Sequence, residues 1–319
     1  MEPRRSRSKK RKKRFLKRIL IFLFILLLLA GSAAAYVFYQ TMKAANDSYS
    51  ELERGDKSEK REAAVEFGED PISLLLLGVE DYASGGKGGR ADTIMVATFN
   101  PKLKTMKLLS IPRDTKVYIP YKDKKDKINH SYNKGVDATI ETVEEFLDIP
   151  IDYYATVNFE GFKSIIDEIG GVEVNVPFDF WEYSDTSPRR KIEFKEGPAK
   201  LNGEEALAYA RMRKRDVNGD FGRNDRQKEI VMSAIDSLIS PKNILKIDDI
   251  AEHVGDNVQT NVKMSQGLSF VTSFTSFSSE SIETLKLEGS DSNSSIYYYL
   301  PDEASVESLQ TELKEHLEL

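Results

Sequence analysis

The chain of 319 residues contains no cysteine. No disulfide can staple it and no thiolate can act as nucleophile or metal ligand, so its fold must rest on packing alone. The 40% of apolar residues is enough for a sizeable core. Histidine is scarce: His130, His253 and His316 are scattered and lack metal-ligand spacing. There is no GxSxG nucleophile elbow and no GxxxxGK-Ser/Thr phosphate loop. The Gly-rich GGKGG at 85–89 has no helix clearly following it. A Ser–His–Asp hydrolase and a P-loop enzyme are therefore poor readings. No internal repeat occurs, and the N-terminal tail is the one low-complexity segment.

Charge is missing from one long stretch. Ile19 to Tyr39, ILIFLFILLLLAGSAAAYVFY, has 21 residues without a charged side chain, and roughly 20 apolar helical residues span a bilayer core. Ala33-Ala34-Ala35 resembles a signal-peptide cleavage site. The apolar run continues through Tyr36–Tyr39, though, beyond a usual signal core, and the segment reads as an uncleaved anchor. Residues 1–18 carry 11 Arg or Lys and one Glu; subtracting that +10 from the whole-chain charge of −6 leaves −16 for the remainder. A basic block beside a span stays cytoplasmic. The expected topology is single-pass type II in the cell membrane, with the acidic remainder outside the cell and the membrane as a partner of the anchor.

The expected layout is a cytoplasmic tail (1–18), a transmembrane anchor (19–39), a helical stalk or linker (40–70), a catalytic domain (71–240) and a C-terminal extension packed on it (241–319). Ile72–Val79 is a continuous apolar run of strand length, the sign of a strand covered on both faces. Thr93–Phe99 and Thr105–Ile111 read as a hairpin joined through Asn100-Pro101. Residues 121–134 read as loop. Thr139–Leu147 reads as a helix, Tyr153–Phe159 as a strand, Gly161–Ile169 as a helix stopped by Gly170-Gly171, and Val172–Val176 as a strand. Asn202 with Glu205 makes a capping box for the helix through EEALAYA, and another helix runs from near Gly222 to about Ile239. Ile282–Glu288 and Ile296–Leu300 are strand candidates, with Tyr297-Tyr298-Tyr299 read as packing or strand surface. The expected fold is an α/β (α+β) sandwich, a central mixed β-sheet flanked by helices and preceded by one transmembrane helix.

In the absence of the usual nucleophiles, arginines beside carboxylates carry the chemistry. RMRKRDVNGDFGRNDRQ, 211–227, holds Arg211, Arg213, Lys214, Arg215, Arg223 and Arg226 against Asp216, Asp220 and Asp225. Arg90 and Asp92 stand in GRADT just before a strand, Arg113 and Asp114 in IPRDT just after one, and Glu80 and Asp81 end the first apolar strand. Strand ends are where open α/β sheets place ligands. Arg211 and Arg213 can face one site only if the helix ends by about Ala210, because residues two apart do not share a helix face. Arg223 and Gln227 are four apart and align, with Ile230 and Ala234 continuing the stripe into the core. That arrangement fits a charged head bound over an apolar body. Several arginines offer forked donors to phosphate oxygens, one or two carboxylates can hold Mg²⁺, and phosphoryl transfer needs positioning and charge stabilisation more than a covalent nucleophile. The bland reading of each arginine alone is a surface salt bridge.

The motifs LLLLGVE, GRADTIMVATFNP, LLSIPRDTKVYIP, DKINHSY, LNGEEALAYARMRKRD and GDFGRNDRQ, in that order, resemble the LytR–CpsA–Psr family, which attaches anionic glycopolymers to the bacterial cell wall. The layout is most similar to the wall-teichoic-acid transferases of Bacillus-like Gram-positive bacteria. The resemblance implies a polyprenyl-diphosphate-linked glycopolymer as donor, its lipid in a tunnel between sheet and helices, and a peptidoglycan N-acetylmuramic acid hydroxyl as acceptor. It also implies Mg²⁺, or Mn²⁺ in its place, as cofactor, and a hydrolytic side activity on the lipid diphosphate is compatible with it. Carried over by motif, Asp92 is a metal ligand; Arg90, Arg113, Arg211, Arg213 and Gln227 grip the diphosphate; Asp220 and Arg223 complete the site. Family members usually read G-x-D where this chain has Gly78-Val79-Glu80, and often arginine where Tyr82 stands. Glu80 is then the expected second metal ligand, with Asp81 as its rival. Lys127 either reaches a phosphate or is structural, His130 orders its loop, and Asp114 either braces Arg113 or serves as a base, bracing being favoured. Two other readings compete. One is a noncatalytic lipid- or polymer-binding module, which paired acids at two strand ends disfavour. The other is a membrane-bound transcriptional attenuator, which the expected topology opposes by leaving the arginines outside the cell, with no nucleic acid to bind.

Overall fold

The apolar run from Ile72 forms the strand β1 (Ile72–Glu80), and the next two segments form the expected hairpin of β2 (Arg90–Asn100) and β3 (Thr105–Ser110), closed with Asn100 opposite Thr105. The structure, a computed structural model, describes residues 48–80, 89–238, 240, 243, 257–263, 266, 281–292 and 296–319. The tail 1–18, the anchor 19–39 and Asp81 lie outside the described residues. Among the described residues no helix is long and apolar enough to cross a membrane.

The following segment corrects an expectation. Part of 121–134, read as loop, is structured: β4 (Lys116–Ile119) pairs antiparallel with β5 (Lys124–Lys127), and a 3-10 helix covers Ile128–Lys134. β5 reads KKDK, polar on both faces, so period-two hydrophobicity could not reveal it. Then come α1 (Val136–Leu147), β6 (Tyr153–Val157), α2 (Phe159–Glu168), β7 (Val172–Val176), β8 (Phe180–Tyr183), β9 (Lys191–Phe194), β10 (Gly197–Leu201), α3 (Gly203–Arg211) and α4 (Asp220–Leu238). β11 (Val258–Thr260), β12 (Ile282–Lys286), β13 (Gly289–Asp291), β14 (Tyr299–Pro301) and α5 (Glu303–His316) complete the order.

Six strands make the central sheet in the order β11-β6-β1-β2-β3-β12. β1 is antiparallel to β2 and parallel to β6, and β12 is parallel to β3. The sheet is mixed, as expected, with β1 and β2 at its centre. β7 forms where expected but pairs with β10 outside this sheet. One face, with Leu75, Leu77 and Val96, packs on Val143 and Leu147 of α1 and Leu313 of α5. The other, with Met95, Ala97 and Phe99, meets Val231, Met232 and Ile235 of α4. A third cluster joins α2, β7, α3 and α4 through Ile166, Val174, Tyr209 and Ile230. Each fully buried Val, Leu, Ile, Met or Phe side chain among these contributes roughly 1.5–3 kcal/mol.

Both flanks of the domain are more integrated than their sequences suggest. Of the segment 40–70, read as a helical stalk or linker, the described part from 49 to 70 runs as a strap of irregular chain. Leu52 enters the core under α1, Phe67 lies edge-on to Tyr153 at 5.0 Å, and Arg61 binds Asp152 through Nε (3.0 Å) and Nη2 (2.7 Å). The charges that look solvated in sequence find buried partners about ninety residues away, a pairing that local periodicity cannot register. At the other end, β12 forms an edge of the central sheet while α5 puts Leu309 and Leu313 into the core. Tyr299 is buried at 2% exposure, in keeping with its packing role.

Candidate active site

A break in the β1–β2 ladder places the first acid. Pairing runs regularly to Gly78 opposite Thr93 and resumes with Val79 opposite Ala91, leaving Asp92 as the extra residue. A bulge of this kind bends a strand and re-aims a side chain. Asp92 and Thr93, neighbours in sequence, both line one cavity, while Ala91 and Ile94 both pack into the core beneath α1. Gly78 permits the close approach, since a Cβ there would lie 2.9 Å from the Thr93 Cβ. β2 begins at Arg90, so Arg90 and Asp92 stand within the strand rather than before it, contrary to expectation. Arg90 is exposed opposite Glu80. Glu80 lines the cavity; Arg90 is not among its described lining residues.

Arg113 follows β3 and donates from Nη1 to Asp92 Oδ1 at 2.8 Å. Burial works against this guanidinium's charge, but Asp92, Asp220 and Asp114 outweigh it and raise its pKa. Asp114 lies 3.5 Å from Arg113 Nε and accepts from Lys127 Nζ at 2.6 Å. It therefore braces Arg113, the role favoured from sequence. Lys127 stands behind Asp114, its ammonium 5.8 Å from the ring centres of both Tyr297 and Tyr298, and is not among the described cavity-lining residues. Its place is structural support for Arg113 rather than the cavity wall. His130 Nδ1 lies 3.0 Å from Asp126 Oδ1 and ties down its loop as expected.

The arginine-rich stretch folds around a helix end. The Asn202–Glu205 capping box starts α3, with both reciprocal bonds at 3.0 Å. α3 ends at Arg211, one residue later than expected, and Met212 turns extended at ψ 128°, so Arg211 and Arg213 both reach the cavity. Arg211 stacks over the Phe159 ring at 5.0 Å. Asp220 holds Arg213 at 3.3 Å and Arg223 at 2.9 Å. Gln227 stands one turn beyond Arg223 and donates to Ala210 O at 3.4 Å. Ile230 and Ala234 continue the stripe down the same cavity, as the spacing predicted.

Arg223 is 6% exposed, and burial together with the cations of Arg113 and Arg213 lowers its pKa against the pull of Asp220 and Asp92. A guanidinium stays charged at neutral pH all the same. Its buried Nε and Nη2, and Nη1 of Arg211, have no hydrogen-bond partner among the described residues. Buried donors are normally satisfied; three unsatisfied ones beside a cavity make a candidate anion-binding cradle.

Sequence reasoning missed the residues that hold this cradle in shape. Arg226 is 3% exposed. It donates to the carbonyls of Tyr209 and Met212 and pairs with the buried Asp216. It thereby pins the end of α3 and the following turn to α4. Gly222 makes room, since a Cβ there would meet the Asp216 carboxylate at 1.9 Å. The three-residue spacing from Arg223 was visible, but nothing in the sequence separates a pinning arginine from a ligand arginine.

These side chains crown a cavity of about 770 Å³ between the sheet and helices α2, α3 and α4. Its body is apolar, with Leu76, Met95, Phe162, Ile166, Ile230 and Leu238. Its mouth carries Asp92, Arg113, Arg211, Arg213, Arg223 and Gln227.

The motifs and this geometry are matched by known proteins. The LytR_cpsA_psr family model covers residues 35–315. The chain belongs to this family. It is 50% identical over 289 residues to the Bacillus subtilis protein named polyisoprenyl-teichoic acid–peptidoglycan teichoic acid transferase TagV, covering 89% of this chain and 74% of that protein. The crystal structure of B. subtilis TagV superposes with a TM-score of 0.71 at 51% identity, over 78% of this chain and 98% of that one. A structure described as TagT bound to LIIa-WTA also gives 0.71, at 33% identity, over 85% of this chain and all of that one.

Proposed function

We propose that this chain is a polyisoprenyl-teichoic acid–peptidoglycan teichoic acid transferase, as its relatives are named. It moves an anionic glycopolymer from a polyprenyl diphosphate to a muramic acid hydroxyl of peptidoglycan. The observation that carries the reading is the cavity itself: an apolar body beneath a mouth whose buried guanidinium nitrogens have no hydrogen-bond acceptor among the described residues. A single-pass anchor at 19–39 would place this mouth outside the membrane, where lipid donor and wall meet.

The acceptor hydroxyl attacks the sugar-side phosphorus, the bond from that phosphorus to the bridging oxygen breaks, and polyprenyl monophosphate leaves; the hydroxyl proton passes to solvent. Arg211, Arg213 and Arg223 hold the phosphate oxygens, and Arg113, fixed between Asp92 and Asp114, stabilises charge developing on the reacting phosphorus. Such positioning costs no reorganisation at the moment of reaction because Asp220 and Arg226 have already set the guanidiniums. Glu80 and Asp92 fit Mg²⁺ as a partial donor set: both line the cavity, while no group of three His, Cys, Asp or Glu able to hold a metal occurs among the described residues. That suits an ion bound by one or two carboxylates together with substrate phosphate. Mg²⁺ there would neutralise diphosphate charge.

The test is a transfer assay with the full-length chain, a synthetic polyprenyl-diphosphate glycan and peptidoglycan oligomers, with Mg²⁺ or EDTA. Metal-dependent linkage that Arg113→Ala and Asp92→Ala abolish is expected. Tight donor binding without transfer, surviving both EDTA and Asp92→Ala, would instead make the chain a binding module.

A further inference from the structure

The mouth holds more positive charge than a diphosphate requires. Beyond the inner four arginines, Arg189, Lys214 and Arg215 line its outer wall beside the β8–β9 hairpin, against the single carboxylate of Glu182. Arg215 lies on the indole of Trp181, 3.4 Å from the ring centre, with Nη1 3.3 Å from Glu182. The stack takes one guanidinium face and leaves N–H edges available. Arg189 and Lys214 are exposed, and no ion pair joins either to another described residue. Tyr183, 44% exposed, stands edge-on to Trp181 at 5.0 Å and itself lines the cavity.

We infer that the β8–β9 hairpin, with Arg189, Lys214, Arg215 and the Tyr183 ring, is a donor-side subsite that reads the phosphates of the polymer's own backbone next to its first sugars. The inference rests on the transferase reading above and narrows it to donors bearing a polyol-phosphate chain. Continuity favours the donor over the acceptor. The polymer is covalently joined to the diphosphate, so it must leave the cradle along the cavity wall, and these residues belong to that same wall. Forked guanidinium donors match phosphate oxygens, and the exposed phenol ring offers a flat apolar face to a pyranose. Because the three cations are solvent-accessible, their attraction is screened by salt. Arg223, 6% exposed within the cradle, is screened far less.

Two synthetic donors separate the possibilities: a polyprenyl-diphosphate disaccharide, and the same molecule extended by four polyol-phosphate units. With the full-length chain in detergent micelles, kcat/KM is expected to favour the extended donor by about tenfold at low salt. The ratio should fall toward one in high salt, and toward one in the combined Arg189→Gln, Lys214→Gln, Arg215→Gln variant. A wild-type ratio near one, or a ratio the variant retains, overturns the subsite. So does a variant whose KM rises for peptidoglycan while the donor ratio holds, which would assign the surface to the acceptor. Trp181 is the only tryptophan in the chain, so its fluorescence reports on this wall without any turnover. A larger saturable change with the extended donor than with the bare one is expected, and equal changes count against the subsite. If neither donor is turned over, the transferase reading fails, while the fluorescence comparison still decides whether the wall binds polymer phosphate.

Discussion

Arg223 and Arg226 stand three residues apart on α4, both nearly inaccessible, yet they do opposite things. Arg226 is surrounded by acceptors: two backbone carbonyls and the Asp216 carboxylate. Arg223 touches one carboxylate and leaves two buried N–H donors unmet at the cavity. The same side chain at the same depth is a structural rivet in one case and, in the proposed function, half of a binding contact in the other. The distinction lies in the acceptors around it, and burial alone says nothing about it.

The sharpest way to break this comparison is to truncate both. Arg226→Ala leaves Asp216 buried without its partner and two carbonyls without a donor. Losing one member of a buried pair costs about 3–5 kcal/mol, so urea unfolding should show a large loss of stability, with activity falling as a consequence. Arg223→Ala should reverse the pattern, reducing transfer by about 10²–10³-fold, the size of a lost transition-state donor, while the urea midpoint stays close to wild type or rises. If Arg223→Ala proved as unstable as Arg226→Ala, the division between rivet and ligand would be wrong. Arg223→Lys should restore little activity, because an ammonium cannot reproduce the forked donors.

A smaller effect contrasts the cavity with the far side of the sheet. His316 on α5 lies 2.8 Å from Thr98 Oγ1 and 3.0 Å from Thr105 Oγ1. Burial, and then the nearby Lys107, lower its pKa against the pull of Glu283 and Glu312. Its folded value lies below its unfolded value of about 6.5, so the unfolded chain takes up a proton that the folded chain refuses. The stability this group contributes is full above that value and declines as pH falls through it. His316→Gln should flatten the fall in unfolding free energy between pH 7.5 and 5.5 that the wild type shows, with no effect on donor binding.

Much of the site was legible because its motifs cluster at element ends. Arg113 after β3, Arg211 and Arg213 at the end of α3, and the Arg223–Gln227 stripe all converge where strand ends and helix spacing put them. Arg90 was misplaced because the strand begins three residues earlier than Thr93 and a bulge intervenes. The bulge itself left no trace in the alternation of a segment buried nearly throughout. The strap at 49–70 and the polar strand β5 were hidden for a related reason. Both are held by long-range ion pairs or backbone bonds rather than by an apolar pattern. Arg226 was visible only as one more positive charge.

The bulge at Asp92 has a consequence for how such a protein can diversify. It works as a parity change in β2. Ala91 before it and Ile94 and Val96 after it stay on the core side, while Asp92 and Thr93 are both diverted to the mouth. The rim is thereby decoupled from the packing beneath it. A change of side chain at the mouth therefore need not ask the sheet to repack, which leaves the rim freer to vary than the scaffold that carries it.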